Sequence, residues 1–98
     1  MTEQLWRARV FVTLKPVVND PQGLSIRGGL RQMGYAGVES VRAGKFLELT
    51  VRARDRDEAE RVVGEMCRRL LANPVIEDFR FTLSRSRRGA GPGADGGR

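Results

Sequence analysis

Histidine is absent from the 98 residues and cysteine occurs once, so the commonest general base is missing and no disulfide can close within the chain. These absences exclude His-based catalytic triads and a secreted disulfide scaffold, and they argue against a zinc site. Long apolar runs are missing too. A membrane span needs about 20 consecutive apolar residues, and the amino terminus has no apolar stretch of the kind a signal peptide uses, so a cytoplasmic protein with no membrane partner is expected. No pair of carboxylates, no nucleophile beside a base and no glycine-rich phosphate loop stands out; Gly89 to Gly97 neither follow a strand pattern nor open a helix. No active site is expected in this chain. Its length fits one small domain with a modest core, which association with further copies would supplement.

What is present in excess is positive charge, 18 Lys and Arg against 12 Asp and Glu, and its placement matters more than its total. Residues 1–83 are close to balance. Residues 84–98 contain Arg85, Arg87, Arg88 and Arg98 against Asp95, five of the 12 glycines and no large apolar side chain. Such a stretch cannot offset its ordering entropy by burial, so the expected organisation is a folded domain over 1–83 and a flexible basic tail over 84–98.

Within the domain, residues 5–15 place Trp6, Ala8, Val10, Val12 and Leu14 on one face and Arg7, Arg9, Thr13 and Lys15 on the other, with Phe11 as the exception. This is a half-buried strand. Asn19-Asp20-Pro21 provides a helix cap and a first-turn proline, and a helix is expected from there to Gly34. The paired Gly28-Gly29 inside it is explained either by close approach to the sheet or to another chain or by simple tolerance of the helix cost. Residues 36–43 and 45–54 read as two strands of a hairpin about Gly44, with Leu47, Leu49, Val51 and Ala53 facing the core. Asp55 to Glu58 has the spacing of a capping box and opens a second helix, whose expected buried face is Ala59, Val62, Val63, Met66, Cys67, Leu70 and Leu71. Asn73-Pro74 ends it. Residues 75–83 then alternate Val75, Phe79, Phe81 and Leu83 against Ile76, Asp78, Arg80 and Thr82, a last strand.

The order is β-α-β-β-α-β, and the expected fold class is α+β: a ferredoxin-like four-stranded antiparallel sheet with two helices on one face. The other face carries Phe11, Phe46 and Ile76 among charged residues, which makes these three the candidates for self-association. A sheet of this kind can bind RNA through aromatics on its central strands, but Glu48 stands where a stacking ring would be needed, so nucleic acid is not the expected partner.

Four segments are more particular than a generic domain requires: Leu14-Lys-Pro-Val-Val-Asn-Asp-Pro-Gln-Gly23, Gly34-Tyr-Ala-Gly-Val38, Val41-Arg-Ala-Gly-Lys45 and Leu70-Leu-Ala-Asn-Pro-Val-Ile-Glu77. In that order and spacing they resemble the PurS-type small subunit of phosphoribosylformylglycinamidine (FGAM) synthase, a purine-pathway enzyme built from three separate chains. The resemblance covers about residues 7–83, departing at Val17, at Asn19 and at the Gly28-Gly29 pair. It implies a subunit without catalytic residues, cofactor or metal of its own, forming a homodimer or higher oligomer. This subunit would join a glutaminase subunit to a large synthase subunit, the complex using ATP and magnesium, so that ammonia passes between the two. Lys15, Gln22, Arg42, Lys45 and Glu77 are the candidate contacts to those partners. An alternative with the same element order is an ACT-like regulatory domain that binds an amino-acid effector.

Overall fold

The structure, a computed structural model, describes residues 2–86. Its elements are β1 (Gln4–Leu14), α1 (Pro21–Gln32), β2 (Gly44–Ala53), α2 (Arg56–Met66) continued by a π-helical turn over Cys67–Leu71, and β3 (Glu77–Ser86). The three strands form one antiparallel sheet in the order β2-β1-β3, with Phe11 opposite Phe46 on one side and Arg80 on the other. Alternation in β1 sends Trp6, Ala8, Val10 and Val12 into the core beneath α2, where they meet Ala59, Val63 and Cys67. Each fully buried valine contributes about 1.5–3 kcal/mol of transfer free energy, so this layer carries most of the domain's stability. Trp6 is fixed further by its indole N–H, which donates to the Ala53 carbonyl at 3.3 Å.

Four expectations are corrected. The sheet has three strands, because residues 36–43 do not pair with it. The apolar Val38 and Val41 have opposite parity and give no half-buried face, while side chains take the backbone groups a ladder would use. Arg27 and Arg31 donate to the carbonyls of Glu39 and Val38 at 2.9 and 3.0 Å, and the Ala43 amide donates to Asp20 at 2.8 Å. The two helices do not share the sheet: α2 packs on it, whereas in α1 only Gly23 is buried. At the end of α2 the Ala72 amide reaches the Cys67 carbonyl at 2.9 Å, five residues back, and this wider turn swings Leu70 out to 82% exposure while Ala72 takes the buried place. Likewise β3 starts at Glu77, leaving Val75 outside the strand.

The helix ends follow the sequence. Asp20 accepts from the Gly23 amide at 2.9 Å, Pro21 occupies the first turn, and Gly34, at φ 104°, closes α1. There the amides of Gly34 and Tyr35 return to the carbonyls of Arg31 and Leu30. Asp55 caps α2 through the Glu58 amide at 2.8 Å, and Glu58 itself accepts from the Arg54 amide at 2.7 Å. Strand β3 includes Ser84, Arg85 and Ser86, three residues of the stretch assigned to the tail, and the Arg85 guanidinium lies 5.6 Å from the Trp6 ring centre. The rest of that stretch lies outside the described residues.

Candidate functional site

Three of the four particular segments meet at one end of the sheet, where β1 runs out at Leu14. The Lys15 amide extends the ladder to the Ile76 carbonyl at 2.8 Å and the Val18 amide turns back to the Lys15 carbonyl, which sets segments 14–23 and 70–77 side by side. Segment 41–45 joins them through Arg42, whose guanidinium donates to the carbonyls of Lys15 and Val18 at 2.9 and 3.2 Å.

Asp20 is the centre of this construction. It is 4% exposed, accepts from the amides of Gly23 and Ala43, and lies 3.9 Å from the Arg42 guanidinium. The Ala43 amide foremost, then the Gly23 amide and Arg42, hold its carboxyl below the usual range against the opposing effect of burial. The closeness also explains Gly23, where a Cβ would run into the Val41 carbonyl and stand 2.7 Å from the Asp20 carboxylate. A Cβ at Gly44 would meet the Val12 carbonyl at 2.5 Å. Capping alone accounts for Asp20 in the sequence; its second role, tying α1 to Ala43, depends on residues 23 positions apart.

Of the five candidate partner contacts, local structure accounts for three. Lys15 pairs with Asp78 at 2.8 Å, Arg42 braces the loop, and Glu77 accepts from the Asn73 amide at 2.7 Å. Gln22 and Lys45 are exposed at the same end. The sequence reading missed the apolar residues this end presents: Val17 is 91% exposed, Leu70 82% and Val75 78%. Leu70 was hidden by its helical spacing, and Val75 by its parity with β3. Segment 34–38 stands apart, at the far end of α1.

On the sheet face away from α2, Phe11 and Phe46 meet at 5.1 Å between ring centres, and Arg80 stacks its guanidinium 4.2 Å from the Phe11 ring. Arg9 pairs with Glu48 at 3.2 Å beside them. Ile76 is not part of this row; it sits in the turn before β3, 37% exposed. Cys67, in the turn that continues α2, is buried and burial pushes its thiol up, which makes it a core residue rather than a nucleophile. Among the described residues no three His, Cys, Asp or Glu side chains stand together as a metal site, and no helix is long and apolar enough to cross a membrane.

The PurS family model, described as phosphoribosylformylglycinamidine (FGAM) synthase, matches residues 7–85, and so spans all four particular segments. The chain belongs to the PurS family. It is 46% identical over 79 residues to the FGAM synthase subunit PurS of Synechocystis, covering 81% of this chain and 79% of that one. The same subunit of Bacillus subtilis is 47% identical over 79 residues, covering 81% and 93%. Among solved structures, PurLQS from Thermotoga maritima includes a chain that superposes with a TM-score of 0.75 at 31% identity, covering 82% of this chain and 98% of that one. Membership in the PurS family removes the ACT-like alternative.

Proposed function

We propose that this chain is the PurS subunit of an FGAM synthase assembled from separate chains, a glutamine-dependent ligase of purine biosynthesis, and that it acts there as a bridge rather than a catalyst. Family membership and the naming of relatives as FGAM synthase subunits support the assignment. The observation that carries the bridging role is the loop end. Three segments particular to the family use their polar side chains to brace one another, and the surface so built presents Val17, Leu70 and Val75 to solvent. Exposed apolar side chains on a braced loop end, with Lys45 and Gln22 at its margin, suit the apolar core and polar rim of a contact with another subunit. In this reading the glutaminase subunit releases ammonia, the synthase subunit consumes it with ATP and magnesium, and this chain holds the two in register while binding no cofactor itself. The open sheet face, with Phe11 and Phe46, serves self-association into a homo-oligomer.

Co-expression with the glutaminase and synthase subunits, followed by size-exclusion chromatography with and without glutamine and nucleotide, tests the bridge. The three chains should co-elute, and Val17→Asp with Val75→Asp should abolish co-elution and glutamine-dependent turnover while ammonia-dependent turnover by the synthase persists. Purified alone, the chain should hydrolyse neither glutamine nor ATP. Glutamine hydrolysis that tracks with this chain after removal of contaminating glutaminase would refute the assignment.

A further inference from the structure

Strand β1 ends at Leu14, and residues 15–18 form a β-turn closed by the Val18 amide on the Lys15 carbonyl at 2.9 Å. Pro16 suits the second position of such a turn, because its ring holds the φ that position needs, and Val17 takes the third with its side chain 91% exposed. A bond within the turn does not set the turn's tilt against the rest of the domain. That tilt is set from 24 residues away. One guanidinium nitrogen of Arg42, Nη2, donates to the carbonyls of Lys15 and Val18 at 2.9 and 3.2 Å, the first and last residues of the turn. The guanidinium is oriented from its other side, where Nε lies 3.9 Å from an Asp20 oxygen that the Ala43 amide holds at 2.8 Å. Arg27 and Arg31 in turn fasten the carbonyls of Glu39 and Val38 to α1, so Arg42 acts from a fixed base.

An arginine that meets a partner's carboxylate does so best with a fork of two parallel N–H groups. Both forks of a guanidinium, end-on and side-on, draw on Nη2, and the two protons of Nη2 in Arg42 are spent on the turn. Val17 is the reverse case. Ordering an exposed apolar side chain gives the free chain no burial in return; it lowers the ordering cost only of a contact that another surface makes.

We propose that Arg42 is a positioning residue for glutamine-dependent turnover, one that meets no partner itself and holds the turn at residues 15–18 so that Val17 is presented ready-oriented to the adjoining subunit. The inference rests on the bridging reading of the loop end, and it replaces the direct partner contact expected of Arg42 from the sequence. Preorganisation of this kind acts on affinity and leaves the chemistry alone. Loss of Arg42 therefore raises the concentration of chain the complex needs without lowering the turnover reached at saturation.

The test titrates the glutaminase and synthase subunits with the purified full chain and reads glutamine-dependent turnover, which gives a half-saturating concentration and a maximum. Arg42→Gln should raise half-saturation at least about tenfold and keep the maximum. Arg42→Lys should return it to within about threefold of the parent, because both bonds come from one nitrogen and an ammonium can supply them. Val17→Ala should also raise half-saturation, and in that background Arg42→Gln should add less than about twofold. Effects that multiply mean that Arg42 meets the partner itself, and they overturn the proposal. In the free chain, Arg42→Gln should speed exchange of the Val18 amide at least about threefold with the Trp6 fluorescence of the core unchanged; unaltered Val18 exchange overturns the proposal as well. Half-saturation insensitive to Val17→Ala refutes the bridging surface and the proposal with it, whereas sensitivity to Val17→Ala without sensitivity to Arg42→Gln refutes the proposal alone. Should Arg42→Gln lose its fold, Pro16→Gly, which loosens the same turn with Arg42 in place, enters the cycle instead, and an effect independent of Val17 overturns the proposal.

Discussion

Replacing glycine by alanine at two positions of α1 should have opposite effects, and the size of each follows from the surroundings of the missing Cβ. At Gly28 nothing lies within 4 Å of the added carbon. The substitution then only removes the helix cost of glycine, about 1 kcal/mol, and amide exchange in α1 should slow roughly fivefold. At Gly23 the added carbon collides with the Val41 carbonyl and approaches the Asp20 carboxylate to 2.7 Å. Neither is the free end of a flexible side chain. The carbonyl belongs to the backbone segment next to Arg42, and the carboxylate is held by two amides at 2.8 and 2.9 Å. Overpacking of this kind costs about 1–3 kcal/mol, which outweighs any gain in helix propensity. Gly23→Ala should therefore speed α1 exchange, by about five- to 150-fold over that range. Hydrogen exchange followed by mass spectrometry reads both variants in the same peptides, and exchange in β1 serves as the internal reference because its core contacts are untouched. If Gly23→Ala slows α1 exchange as Gly28→Ala does, then the contact between α1 and segment 41–43 is not what holds the loop end together.

The lowered Asp20 carboxyl gives a pH dependence whose sign is set. A group whose folded value lies below its ordinary 3.8 contributes stability that is fully present above that pH and is lost as the pH falls through the folded value. Acid titration should accordingly release α1 below about pH 4, with Ala43, Gly23 and Arg42 as the partners lost, and Asp20→Asn should remove that component from the hydrogen-exchange profile. Around the π-helical turn, Leu70→Ser should change urea stability by no more than about 0.5 kcal/mol. Cys67→Ser should cost about 1–3 kcal/mol by placing a hydroxyl among apolar neighbours; equal effects of the two would mean that Leu70 is buried. On the open face, Phe46→Glu removes the ring against Phe11 and puts a charge there, so it should reduce self-association, as read by sedimentation. An unchanged assembly would show that this face is not a self-contact.

Local chemistry was legible in the sequence wherever one residue's neighbours along the chain decide its structure. Alternation is enough to assign the core face of β1, because a strand with one buried face permits only one parity. Asp20-Pro21, Asp55 with Glu58, Gly34 and Asn73-Pro74 mark helix ends because caps act within a few residues. The family resemblance, carried by four short segments, was legible for the same reason. What tertiary structure alone decided are the choices between competing partners for the same backbone. Residues 36–43 carry strand-like composition, but Arg27, Arg31 and Asp20 take the carbonyls and amide that a fourth strand would have offered to the sheet. Leu70 has core spacing in an α-helix and loses it in a wider turn, whose one decisive hydrogen bond joins Ala72 to Cys67. Lys15, Arg42 and Glu77 look available in one dimension and are engaged in three, while Val17 and Val75 look like ordinary apolar residues and end at the surface. Periodicity reports which side chains share a face; it carries no information about whether that face meets its own chain, another chain or water, since that depends on where the backbone's long-range hydrogen bonds are made.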